Sequence, residues 1–184
     1  YGTLIANNGA RHLIGGLNLG ASVDWEDDGQ PNAGASGDGV DEDGIFFVDP
    51  LVAGQTTYIV VRSKPGGGVL DYFFDFDRAG GFGNNANEVF STVLTGSTDI
   101  IAVDVPADAV AGTTFARFRL SSGGNLGPTG AATDGEVEDY SVQVYSESPP
   151  RDFGDAPDAL YATLRADAGP SHFIGGPRLG STVD

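Results

Sequence analysis

The chain contains no cysteine and no methionine. Without thiols it has no disulfide, no thiolate zinc site and no cysteine nucleophile. Positive charge is scarce: nine Lys and Arg stand against 26 Asp and Glu, for a formal net charge of −17 over 184 residues. That balance excludes nucleic-acid binding by phosphate neutralisation and opposes docking on an anionic membrane surface. No apolar run approaches the roughly 20 residues that cross a bilayer as a helix, so membrane insertion is not expected. No signal peptide and no initiating Met are visible, and the sequence reads as a processed or partial product. Long apolar periods of 3.6 residues are missing too, so helices should be few and short. What abounds is glycine, with 29 residues, and the 11 Phe, 6 Tyr and one Trp speak against disorder. The length suits one domain, or one domain plus part of another. A disulfide-free extracellular chain needs another staple, and bound metal is the one expected.

An internal repeat organises the chain. Tyr1–Asp24 aligns without a gap onto Tyr161–Asp184 at an offset of 160, with 13 of 24 positions identical, among them Gly9/Gly169, His12/His172, Ile14/Ile174 and Asp24/Asp184. The chain therefore reads as one period of a tandem array plus the opening of the next. The expected organisation is a repeat unit at 1–145, a Ser/Pro linker at 146–151 and the start of the next repeat at 152–184. The second copy is preceded by Asp152-Phe153-Gly154-Asp155-Ala156-Pro157-Asp158, whereas the first begins directly at Tyr1.

From Ile45 to Tyr145 the period is two. Thr56–Arg62 is β-branched and aromatic. Leu70, Tyr72, Phe74 and Phe76 alternate with Asp71, Phe73, Asp75 and Asp77; Ala116, Phe118 and Leu120 alternate with Arg117 and Arg119; Tyr140, Val142 and Val144 alternate with Ser141 and Gln143. With further runs at Ile45–Val48, Glu88–Leu94 and Asp99–Val105, this predicts about seven half-buried antiparallel strands. The fold class is all-β: an immunoglobulin-like antiparallel β-sandwich over about 45–145, with long acidic, glycine-rich loops.

The negative charge is concentrated. Asp24–Gly44 holds eight acidic residues and no basic one, an arrangement that repels itself unless a cation intervenes. Asp24-x-Glu26-x-Asp28-Gly29 copies the first half of an EF-hand loop, but position 12 is Ala35 and no helices flank it. Asp38, Asp41 and Asp43-Gly44 extend the set. Oxygen-only donors favour Ca²⁺ over zinc or copper; the rival reading is a solvated acidic loop. A second candidate set is Asp134, Glu136, Glu138 and Asp139, where the rival is an exposed strand face. A third run, Asp71, Asp75 and Asp77, leads into a Gly/Asn-rich loop ending at Glu88.

At Asp134–Tyr140 the string GEVEDY resembles the signature of the GEVED-type β-sandwich domain of large bacterial extracellular and surface proteins. DFGDAPD at Asp152–Asp158, Gly-x-x-His-x-Ile, LGxxVD, Asp28–Pro31 and Asp41–Gly44 also look like the tandem repeats of such proteins and adhesins, so the resemblance spans essentially the whole chain. It implies a secreted, repetitive, calcium-stabilised module of a surface protein; as a structural repeat such a module would build a stalk or filament. One departure stands out. Where such domains carry a segment like D-x-N-x-D-G-D, Asp75–Gly81 lacks acidic positions and has Arg78, which argues against a metal there.

Catalysis is not expected. His12 has only Ser22 as a local nucleophile and reads as a packing or hydrogen-bonding residue. Gly66-Gly67-Gly68 precedes a strand rather than a helix, so it is no phosphate loop. Trp25, Tyr72, Phe73 and Tyr145 suggest either a sugar-binding platform or core aromatics. Two function classes follow: a structural repeat whose partners are neighbouring copies, packed head to tail, or an adhesin or carbohydrate-binding module for glycans or a host ligand. The apolar residues of Tyr161–Asp184 are expected to pack on the preceding sandwich or on another unit.

Overall fold

In a computed structural model that describes residues 1–37 and 43–174, the chain divides into two compact units, Tyr1–Ser146 and Glu147–Asp184. The first carries β1 (Arg11–His12), β2 (Asn18–Leu19), β3 (Ile45–Phe47), β4 (Leu51–Val52), β5 (Thr56–Lys64), β6 (Gly68–Phe74), β7 (Val89–Leu94), β8 (Thr98–Asp104), β9 (Gly112–Ser121), β10 (Ala131–Ala132) and β11 (Glu136–Tyr145). The period-two runs are strands because alternate side chains reach opposite faces of a sheet. β4, β11, β9, β6 and β7 form one sheet in that order, antiparallel except for the parallel β4–β11 pair. β5 is the centre of the second, antiparallel to β2, β3 and β8.

One apolar cluster joins the two sheets. Leu70, Tyr72, Phe74, Phe118, Leu120, Val142 and Val144 from the first meet Ile45, Ile59, Val61, Ile101 and Val103 from the second. Phe74 and Phe76 stack at 4.8 Å, and Tyr72 stacks on Phe118 at 5.8 Å. Each buried aliphatic or aromatic side chain contributes about 1.5–3 kcal/mol. The all-β sandwich expected from the sequence is what forms.

The opposite face of β6 and β9 corrects the expectation of half-buried strands. Asp71, Phe73, Asp75, Arg117 and Arg119 are all buried there. The N-terminal segment and the stretch between β9 and β11 lie over this face, and the two arginines hold them. Arg117 pairs in bidentate fashion with Asp139 (2.7 and 2.6 Å) and donates to the carbonyls of Gly2 and Pro128. Arg119 donates to the carbonyls of Gly127, Thr129 and Gly130 and to Nε2 of His12. Asp71 accepts from the Leu126 N–H at 2.9 Å. Buried cations persist only when their donors are satisfied, so the charged face is a second, polar core.

The second unit contains β12 (Arg151–Phe153), the single α-helical turn α1 (Asp158–Tyr161) and β13 (Ser171–Phe173), with β12 and β13 antiparallel. Over the described residues the two copies of the repeat share one turn. Each opens with a 3-10 turn, Ile5–Asn7 or Arg165–Asp167, followed by a left-handed residue, Asn8 or Ala168. Gly9 and Gly169 are then required, because a Cβ would sit 2.0 Å from the Thr3 carbonyl oxygen or 2.4 Å from that of Thr163. No helix among the described residues is long and apolar enough to cross a membrane.

Candidate metal site

Among the described residues, one group brings three potential metal ligands together: Asp75, Asp77 and Glu88, whose carboxylate oxygens lie within 4.8 Å of one another. β6 delivers the first two as it runs out past Phe74, and a 3-10 turn at Ala86–Glu88 delivers the third. Backbone N–H groups assemble the cluster. Glu88, fully buried, accepts from Asp77 N (3.1 Å), Asn84 N (3.0 Å) and Asn85 N (3.3 Å). Asp75 accepts from Ala79 N and Gly80 N and from the Tyr1 hydroxyl. Asp77 accepts from Ala79 N and the Asn85 side chain.

The electrostatics follow from this packing. Burial raises the Glu88 carboxyl, and the neighbouring Asp77 and Asp75 charges raise it further, against the hydrogen bonds it accepts. The Ala79 N–H leads the hydrogen bonds that hold Asp77 below the ordinary carboxylate range. Burial and the hydrogen bond to Asp75 push the Tyr1 hydroxyl up to about 12. Arg78 does not relieve the charge through a hydrogen bond to the cluster. Its guanidinium donates to the Ala111 carbonyl at 3.0 Å.

Donor type and spacing fit a hard cation. Oxygens that share one Ca²⁺ at about 2.3–2.6 Å lie within about 5 Å of one another. The three carboxylates can hold a metal ion, although the lost acidic positions after Asp77 argued otherwise. Glu88 is the member that sequence reasoning did not select. Its signal was the Asn85-x-x-Glu88 spacing of a capping box ahead of a strand run.

The residues expected to bind metal are placed differently. Asp28 accepts from Ile5 N (2.7 Å) and Gly29 N, Glu26 from the Gln30 side chain, and Asp43 from Ala21 N at 2.8 Å. Asp24 is exposed. These four are not gathered into a triad of ligand atoms among the described residues; Asp38, Asp41, Glu42 and Asp184 lie outside them.

The glycine and the three acids of the motif at Gly135–Tyr140 each have a mechanical role. Gly135 takes φ +88°, and a Cβ on it would stand 1.8 Å from the Leu120 carbonyl oxygen. Asp134 accepts from Ser122 N. Glu136 reaches across to the Leu19 N–H at 2.5 Å, tying β2 to β11. Glu138 accepts from Asp43 N and Gly44 N, both at 3.0 Å, and from the Tyr140 hydroxyl, so it fixes the chain where it runs into β3. Burial pushes its carboxyl up to about 7 despite those hydrogen bonds. Asp139, on the other face, holds Arg117.

His12 sits beside this motif. Its Nε2 accepts from Arg119, so Nδ1 carries the proton and donates to the Asp134 carbonyl at 2.7 Å. Burial and the Arg119 charge lower its pKa to about 4, and both ring nitrogens are engaged in packing the fold. Tyr72 and Phe73 are interior residues, while Trp25 is exposed.

Comparison with curated proteins and with solved structures gave no match. The model of the GEVED domain family matches residues 69–143, from the second residue of β6 into β11. That stretch contains the five-residue motif, both buried arginines and the three-carboxylate cluster, and over it the chain is similar to a GEVED domain.

Proposed function

We propose that this chain is a non-catalytic structural repeat of a secreted or cell-surface protein, coupled head to tail with further copies and stabilised by calcium. The observation that carries this reading is the second copy of the repeat. Over its described residues it repeats the turn of the first, yet Tyr161, Leu164 and Ile174, with Leu160 just before them, remain largely exposed. Apolar side chains in such a group favour a partner, and a contact between different surfaces of identical units propagates into a fibre. His12, Glu136, Glu138, Asp139, Arg117 and Arg119 are committed to holding loops, which supports a mechanical role over a chemical one.

Calcium would be held by Asp75, Asp77 and Glu88. A bound divalent cation neutralises charges that otherwise repel one another where β6 ends and the Gly/Asn loop begins. The test is a protein with two copies of the chain in tandem, compared with the single chain in calcium and in excess chelator. Coupled units tumble and unfold as one body, and calcium raises Tm in the natural chain but not in a variant carrying Asp77→Asn and Glu88→Gln. Independent tumbling of the two copies refutes the coupling, and an unchanged melt in chelator refutes the calcium.

A further inference from the structure

The outer face of the first sheet is covered by the segments that Arg117 and Arg119 hold, but the outer face of the second is apolar and faces solvent. β3, β5 and β8 present alternate side chains there, and their register sets these in rows across the strands. Phe46, Val60 and Ile100 form one row. Val48, Tyr58 and Ala102 form the next, the Val48 N–H donating to the Tyr58 carbonyl at 3.1 Å. Ile100 is 70% exposed, Val48 58%, Tyr58 49% and Phe46 40%. The neighbours Ile45, Ile59, Val61, Ile101 and Val103 fill the core, so the sandwich is complete without the outer rows. An antiparallel sheet that met only water would carry polar residues at these positions, and a contiguous apolar patch marks an interaction surface. Its exposure does not come from where the chain begins. Tyr1 lies on the other side of the sandwich, its ring 5.0 Å from that of Phe115 and its hydroxyl on Asp75.

The two ends of this face carry opposite charge. Beyond the Phe46 row, Arg62 stands across from Thr98 and lays its guanidinium 4.5 Å from the centre of the Phe46 ring. Among the described residues it makes no ion pair. Lys64 follows on the same side of β5 and donates to the Ala21 carbonyl. Beyond the Tyr58 row, Thr56 stands across from Asp104 and donates to its carboxylate at 2.6 Å. Two of only nine basic residues therefore stand at one end, an exposed carboxylate stands at the other, and two apolar rows lie between. Such a surface is complementary to itself when turned end for end.

We propose that the face of β3, β5 and β8 docks the same face of a second copy, the two sheets stacked with their strands antiparallel. The two-fold axis then runs across the strands, between the two apolar rows. The Phe46–Val60–Ile100 row of each copy lies over the Val48–Tyr58–Ala102 row of the other, and Arg62 of each reaches Asp104 of the other. Stacking with parallel strands would set Arg62 on Arg62 and Asp104 on Asp104, and like charges brought together in this way repel. A patch on three short strands covers roughly 300–400 Å², less than the about 800 Å² that each partner buries in a standard interface. One pair of copies therefore associates weakly, and copies joined in one chain gain by binding together. The contact joins identical surfaces and closes on itself, so it is separate from the head-to-tail contact and does not rest on it.

The test is sedimentation velocity of the full chain from about 10 μM to about 1 mM, where the docking predicts a reversible monomer–dimer equilibrium. Arg62→Asp alone and Asp104→Arg alone each weaken it about tenfold or more, because in a two-fold dimer each substitution sets like charges together twice. An equimolar mixture of the two variants associates within about threefold of the natural chain, since R62D against D104R rebuilds both pairs. Ile100→Asp, at a side chain 70% exposed, leaves the thermal melt unchanged and abolishes the dimer. A chain that stays monomeric throughout the range overturns the inference, and NMR shifts at Tyr58 and Ile100 on adding cello-oligosaccharides would then make the face a glycan platform. Association that survives Ile100→Asp overturns it too and leaves self-association to another surface, such as the head-to-tail contact. A mixture of the charge variants that associates no better than either alone refutes the antiparallel stacking.

Discussion

Replacing Glu138 with Gln should change how stability depends on pH more than it changes the structure. The carboxylate is buried, and its Oε1 accepts from the N–H groups of Asp43 and Gly44. Gln keeps an oxygen for both donors. What it removes is a titration: burial raises the folded-state pKa from 4.5 to about 7. Between those values the folded protein holds a proton that the unfolded chain has released. The natural side chain's contribution is therefore full below about pH 4.5 and is lost as pH rises through about 7. A shift of that size corresponds to about 3 kcal/mol across the window. Urea denaturation of both proteins in chelator, at about pH 5 and about pH 8.5, reads the difference directly. The natural chain should lose about 2–3 kcal/mol relative to E138Q between the two conditions. Parallel pH dependences, agreeing within about 0.5 kcal/mol, would show that Glu138 stays ionised throughout and that its hydrogen bonds, not burial, set its charge.

The His12 imidazole, with its pKa lowered to about 4, should stay neutral at pH 5.5 in an NMR titration, and its share of stability, present above about pH 6.5, should fall away as pH drops through about 4; a midpoint near 6.5 refutes this. Arg117→Ala strands Asp139 and the carbonyls of Gly2 and Pro128, and should cost about 3–5 kcal/mol in urea denaturation; a loss below about 1 kcal/mol means the N-terminal segment is held by other contacts. Gly135→Ala forces a Cβ against the Leu120 carbonyl at positive φ, so Tm should fall by the equivalent of more than about 1 kcal/mol, whereas Gly123→Ala, where a Cβ meets nothing within 4 Å, should leave it nearly unchanged.

Alternation along Thr56–Arg62, Leu70–Phe76 and Ala116–Leu120 was enough to establish the strands and the apolar face of the sandwich, because side-chain direction in a strand is a local property of period two. The offset of 160 was likewise legible as self-similarity. Which oxygens meet was not, because that depends on contacts far apart in sequence. Glu136 finds Leu19 at a separation of 117 residues, and Glu138 finds Gly44 at 94. Read locally, GEVED is a row of acids that suggests a cation. In the folded chain Glu136 and Glu138 take backbone N–H groups, and Asp139 takes an arginine. The run at Asp75 and Asp77 shows the reverse: it looks depleted along the sequence, and the turn carrying Glu88 brings a third carboxylate to it in space. Arg117 and Arg119 read as the wet side of a strand, since polar residues at alternate positions ordinarily face water. Local pattern therefore determined which residues are strand and which faces are apolar; tertiary structure alone decided which charges are buried, because a charge leaves water only where distant backbone groups converge to replace it.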